Sequence, residues 1–172
     1  MLRFQLMRIL LLALVGAAAA WAQKVTIEFD QTVDFGRYRT FAIRDGRLNS
    51  ANPVLNSELI RQRINADIER GLSARGLILA TGGPSDLNVR YTFGAVRRAE
   101  VEAFPAGWRG FGTEIVRVPF TEGTLVIDLR DPRTRSLVWR GISTEDKSDA
   151  AKIEGKLDNM VKKALDKYPP KR

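Results

Sequence analysis

Apolar side chains recur along this chain in two rhythms, and the changes from one to the other mark out its elements. Lys24–Phe29 puts Val25, Ile27 and Phe29 on one side and Lys24, Thr26 and Glu28 on the other, the period of two of a half-buried strand. Asp34–Tyr38 reads as a turn and Arg39–Ile43 as a second short strand, followed by a polar loop over residues 44–52 with Gly46, Asn49, Ser50 and Asn52. At Asn52-Pro53, a capping residue and a first-turn proline, the rhythm changes. Leu55, Leu59, Ile60, Ile64, Ile68 and Leu72 recur at steps of mostly four, with Glu58, Arg61, Asn65 and Glu69 on the other faces. The pattern predicts a sheet-packing helix of about five turns, closed by Gly76 in the left-handed position of a helix end.

Period two returns briefly at Leu77–Ala80, is broken by Thr81–Ser85, and resumes at Leu87, Val89, Tyr91, Phe93 and Ala95. Residues 99–112, rich in glycine and aromatics, read as a loop. Ile115, Val116 and Val118 lead into a strand over Gly123–Asp131 with Leu125, Ile127 and Leu129 on one face. Asp131-Pro132-Arg133-Thr134 has the residues of a type I turn, and Leu137–Ile142 pairs back as a hairpin. A second helix is predicted from about Asp149 to Lys167, with Ile153, Leu157, Met160, Val161, Ala164 and Tyr168 at helical spacing and Pro169-Pro170 ending it. This order points to an α+β fold, an antiparallel or mixed β-sheet with two α-helices packed on one face. No repeat or low-complexity linker divides residues 23–172, which predicts a single domain.

The first 22 residues have a different character. Arg3 and Arg8 precede an unbroken apolar run from Ile9 to Ala20, and Ala20-Trp21-Ala22 has the small-x-small form of a cleavage site. This is the pattern of a secretory signal peptide, with cleavage expected between Ala22 and Gln23. The run is too short for the ~20 apolar residues of a membrane span, and no later segment is long enough. The expected product is periplasmic or secreted. It lacks a lipobox cysteine, because the chain has no cysteine at all.

Composition narrows the chemistry further. Lys and Arg number 28 against 20 Asp and Glu, a net charge of +8; losing Arg3 and Arg8 with the leader lowers it to +6. That surplus favours contact with anionic neighbours such as phospholipid head groups or lipopolysaccharide. Nucleic acid is not expected as a partner of an exported chain. Histidine is also absent, removing the commonest general base and metal ligand near neutral pH. Without histidine, serine–histidine and cysteine–histidine catalysis are excluded, and without cysteine, thiolate nucleophiles, thiolate zinc sites and disulfides are excluded as well. No cofactor and no metal are expected.

Several segments together resemble one known family. Asp34-Phe35-Gly36-Arg37-Tyr38-Arg39-Thr40-Phe41 is similar to its opening element, Asp86-Leu87-Asn88-Val89-Arg90-Tyr91 to one of its strands, and Gly123–Leu129 with Leu137-Val138-Trp139-Arg140-Gly141 to its hairpin. Lys163-Ala164-Leu165 through Pro169-Pro170 resembles its closing helix. The family is the bacterial envelope group called domain of unknown function 4136 (DUF4136), many of whose members are predicted lipoproteins. The resemblance implies an α+β sheet with packed helices and an envelope location. It implies no activity and brings no catalytic residues.

Among individual residues, Asp128 and Asp131 flank the hairpin turn, and Glu100, Glu102 and Glu114 surround the glycine-rich segment. Paired carboxylates can hydrolyse glycosides, but a turn-capping Asp131, an outward-facing Asp128 and solvated loop glutamates account for them more simply. Phe104, Trp108, Arg109 and Phe111, with Arg97 and Arg98 nearby, form the preferred binding candidate: a ligand rim, partner hot spot or membrane-touching tip. The plainer reading is a crossover whose aromatics fold onto the sheet edge. Trp139 is expected in the core, Gly82-Gly83 in a turn, and Lys152, Lys156, Lys162, Lys163 and Lys167 on a solvated helix face that could also meet an anionic membrane. The expected function is a non-enzymatic periplasmic binding or scaffolding module contacting an envelope protein or anionic envelope surface. A lipid- or lipopolysaccharide-associated protein is the alternative, and a carboxylate hydrolase a distant third.

Overall fold

A computed structural model of the chain describes residues 24–105 and 113–171, with the side chains of 102–105, 113, 114 and 116 left out of the description. The expected leader and its cleavage point therefore lie outside the described residues. The strands are β1 (Lys24–Phe29), β2 (Thr40–Ser50), β3 (Ile78–Leu79), β4 (Leu87–Pro105), β5 (Thr113–Arg130) and β6 (Leu137–Lys147). The helices are α1 (Glu58–Ser73), α2 (Ala150–Glu154) and α3 (Leu157–Leu165). The six strands form one mixed sheet in the order β1-β6-β5-β4-β2-β3, with β2 parallel to β3 and β4 and the other pairs antiparallel. This is the α+β class read from the sequence.

All three helices cover one face. Tyr91 on β4 donates its hydroxyl to the Arg61 carbonyl of α1 at 3.2 Å. In the same cross-strand row, Tyr91 is opposite Ile127 and Ile127 is opposite Gly141; Gly141 lies 3.0 Å, measured from where a Cβ would stand, from the Ala164 carbonyl of α3. Gly123, on that face of β5, lies under Ile153 of α2. Val89, Tyr91, Phe93, Leu125, Ile127, Leu129 and Trp139 meet Ile60, Ile64, Ile68, Leu72, Ile153, Leu157 and Met160 in one buried cluster. Burying a side chain of this size contributes about 1.5–3 kcal/mol, so this layer carries the fold.

Four expectations need correction. The 44–52 segment is not a loop, because β2 runs on to Ser50. A register shift between Ile43 and Asp45 breaks its alternation, and beyond it the core-side positions are Gly46, opposite Tyr91, and Leu48. Asn52 caps a 3-10 turn over Pro53–Leu55, and the α-helix starts afresh with Ser57 accepting from the Ile60 N–H. That restart turns Leu59 outward, 75% exposed. Residues 99–112 are not all loop, since β4 continues to Pro105 and β5 begins at Thr113. The final helix is broken at Gly155-Lys156 into α2 and α3, so three helices cover the sheet instead of two. Other expectations hold: Gly76 has φ +84°, with Leu77 N–H bonded to Leu72 O and Gly76 N–H to Ser73 O, the paired bonds of a Schellman motif.

The opposite face of the sheet is polar. One row crosses five strands: Asp45 of β2 is opposite Arg90, Arg90 opposite Asp128, Asp128 opposite Arg140, and Arg140 opposite Glu28. The charge alternates at every step, and directly opposed unlike charges stabilise a sheet. Arg140 grips Asp128 with both ends of its guanidinium, at 2.7 and 2.9 Å.

Candidate interaction site

The arm formed by β4 and β5 arises because both strands outrun their neighbours. The last β2–β4 rung is Ser50 opposite Ala95, and the last β5–β6 rung is Thr121 opposite Lys147. Beyond these, the two strands pair only with each other, out to Pro105 opposite Thr113. At about 3.3 Å per residue, residues 96–105 extend β4 roughly 30 Å beyond the body of the sheet. Val101 and Ile115 on this arm are 62% and 69% exposed, and Val96 and Val118 are also exposed. Two-stranded ribbons are only marginally stable in water unless a surface covers them.

Arg97 and Arg98 sit at the root of the arm, opposite Thr121 and Phe120. Adjacent strand residues point to opposite faces, so the two guanidiniums diverge. Arg98 bonds the Glu122 carboxylate at 2.9 Å, while Arg97 helps line a cleft of about 460 Å³ with Ser50, Asn52, Thr121 and Asp149. On the far side of the root, a cleft of about 610 Å³ is lined by Glu100, Val118, Phe120, Asp146, Lys147 and Lys152. Burial, and after it the negative charges of Glu122 and Glu145, raise the Asp146 carboxyl above the usual carboxylate value. Glu145 is 7% exposed and pairs with Lys147.

Phe104 holds a β4 position opposite Glu114, while Trp108, Arg109 and Phe111 lie in 106–112, outside the described residues. Of the six candidates, Arg97 and Arg98 therefore stand at the root of the arm and Phe104 toward the far end of β4, and the other three are not placed. Sequence reasoning missed the root carboxylates Glu122 and Asp146, which become neighbours only through the β5–β6 register. It also missed the arm itself, although apolar Ala99, Val101 and Ala103 alternate with polar Arg98, Glu100 and Glu102.

Of the carboxylates weighed for hydrolysis, Glu100, Glu102 and Glu114 hold positions on β4 and β5 instead of in a loop, while the hairpin pair is held elsewhere. Asp128 is tied to Arg140. Asp131, 1% exposed, accepts from the Arg37 guanidinium at 2.6 Å, the Tyr38 hydroxyl at 3.3 Å and the Arg133 backbone N–H at 2.9 Å. Burial opposes the charge on Asp131, but the bonds and charge of Arg133 outweigh it and hold the carboxyl below its ordinary value. Among the described residues, no group of three or more acidic, histidine or cysteine side chains could hold a metal ion, and no helix is long and apolar enough to cross a membrane.

The fold and its arm define an α+β protein with a one-sided helical layer. The chain belongs to the family described as domain of unknown function (DUF4136), whose model matches residues 25–170. No curated protein matches it. Its fold is similar to that of a PDZ domain protein from Parabacteroides distasonis, at 16% identity and a TM-score of 0.59, over 87% of this chain and 36% of that one. This chain therefore spans about a third of that protein. Weaker likenesses are to the PelC dodecamer from Paraburkholderia phytofirmans, at 11% identity and a TM-score of 0.49, over 84% of this chain and 95% of that one. A putative neuraminyllactose-binding hemagglutinin homolog from Helicobacter pylori has 10% identity and a TM-score of 0.47, over 78% and 84% of the two chains.

Proposed function

We propose that this protein is a non-catalytic module of the bacterial envelope that presents residues 104–111 on its arm to another envelope protein. One observation carries the reading: the two longest strands among the described residues leave the sheet together, out to Pro105 opposite Thr113, and the sequence that joins them contains Trp108, Arg109 and Phe111. Aromatic and arginine side chains are those most often found to dominate protein interfaces. The basic, apolar and small-residue order of residues 1–22 supports the compartment. The test is crosslinking in intact cells followed by mass spectrometry of the captured proteins. The expected result is capture of a discrete envelope protein that survives high salt and is lost in Trp108→Ala. Capture unaffected by Trp108→Ala overturns the reading.

A second reading is supported by exposed lysines on the helical layer, Lys152 and Lys162 among them, each able to contribute about 1 kcal/mol near an anionic membrane. It is told apart by salt, since vesicle binding through these charges disappears as ionic strength rises.

A further inference from the structure

The two edges of the sheet are unequal. On one side, β3 covers only Thr40 and Phe41 of β2, and the β2 edge beyond them is broken by the register shift between Ile43 and Asp45, an irregularity of the kind that protects an edge. On the other, β1 pairs with β6 in unbroken register from Lys24 opposite Thr144 to Phe29 opposite Trp139. It contains no proline or bulge, and no further strand among the described residues pairs with its outer side. Half of its backbone N–H and C=O groups therefore point away from the sheet. Proteins usually protect such an edge by shortening, bending or charging it. Here the only such device is charge, at Lys24 and Glu28, and those two charges are opposite in sign.

We propose that β1 is a self-association edge, and that two copies of this chain pair their β1 strands antiparallel about Thr26, making one twelve-stranded sheet from two six-stranded ones. The segment Lys24-Val25-Thr26-Ile27-Glu28 is complementary to its own reversal. With Thr26 facing Thr26 of the second copy, Lys24 meets Glu28, Glu28 meets Lys24, and Val25 meets Ile27. A parallel in-register pairing would instead set Lys24 against Lys24 and Glu28 against Glu28, which is destabilising.

The faces agree as well. Lys24, Thr26 and Glu28 are exposed on the polar side, while Val25, Ile27 and Phe29 are half-buried on the helix side. Ile27 and Phe29 already pack against the core. Antiparallel pairing places like faces together, so these partly wet side chains are covered by their counterparts. Glu28 is 60% exposed and reaches Arg140 only at 4.0 Å, which leaves it able to turn outward. The arrangement is isologous and closes as a dimer. Being smaller than the roughly 1,600 Å² of a standard interface, it belongs with weak, concentration-dependent associations. It involves no residue of the arm and stands apart from the reading above.

The test uses the protein expressed with its leader and purified from the periplasm, examined by sedimentation velocity from micromolar to near-millimolar concentration. A monomer–dimer equilibrium is expected. Lys24→Glu should weaken it about tenfold by opposing like charges at two places, and the double change Lys24→Glu with Glu28→Lys should restore it. The chain has no cysteine, so Thr26→Cys gives a clean register probe. Opposed residues of an antiparallel pair have Cα atoms about 4.5–5.5 Å apart, within the roughly 4.4–6.8 Å of a disulfide. Mild oxidation should link Thr26→Cys into a covalent dimer but leave the control Thr134→Cys monomeric. A protein monomeric at every concentration, with Thr26→Cys crosslinking no better than the control, overturns the proposal. So does crosslinking of Thr26→Cys to a different protein in cells, which would mark this edge as a receptor for a foreign strand.

Discussion

Trp139 is fully buried beneath the closing turn of the chain, its ring edge-on to Tyr168 with centroids 5.6 Å apart. Two residues along β6, Gly141 leaves the space this ring occupies. A Cβ at Gly141 would fall inside the contact radius of the Trp139 ring and lie 3.0 Å from the Ala164 carbonyl. Neither neighbour can give way, since one is a packed indole and the other helix backbone. Gly141→Ala is therefore expected to destabilise the protein by about 1–3 kcal/mol, measured by urea unfolding. The core role of Trp139 is legible from its neighbours in sequence. That of Gly141 is not, because nothing in the sequence says which ring will lie across it.

At the level of elements, sequence patterns find strands and helices where one face is buried throughout, and fail where geometry changes midway. The alternation of Leu87–Ala95 and the four-step stripe of Ile60–Leu72 survive intact. In β2 the register shift after Ile43 hides a strand inside a polar stretch. Along the last helix, Ile153, Leu157, Met160, Val161 and Ala164 are all buried, and their spacing runs unbroken through the interruption at Gly155-Lys156. Periodicity alone could not reveal that break. Gly155 has φ −63° and a Cβ there would make only ordinary contacts, at 3.7 Å. An alanine fits this backbone and has fewer conformations to lose on folding, so Gly155→Ala is expected to stabilise the protein by about 0.4–1 kcal/mol, read as a higher melting temperature. For the candidate site, the residue types of 104–111 stand out in the sequence, but the separation of Phe104 from Arg97 and Arg98 along the arm follows only from strand register.

For the whole molecule, body and arm are separable in energetic terms. Among the described residues, the buried cluster draws on β4 no farther than Ala95 and on β5 no farther than Leu125. Arg98 and Phe120 face each other across the arm, so replacing residues 99–119 with an Asn-Gly turn closes the ribbon as a two-residue hairpin. The shortened protein is expected to keep its circular dichroism spectrum and cooperative unfolding while losing envelope-protein capture. Loss of cooperative folding would show that the arm supports the core.

The sheet also imposes an order on its own assembly. Among the described residues, β1 has one strand neighbour, β6, and the rung joining Phe29 to Trp139 spans more than a hundred positions of sequence. Contacts so distant along the chain form slowly, because a large loop must close before they gain anything. As the polypeptide is synthesised from its N-terminus, the first strand made has no place to dock until the last one has emerged. Nascent chains stopped short of Leu137 should accordingly leave Lys24–Phe29 open to proteases, and completion of the C-terminal hairpin is what shuts the sheet.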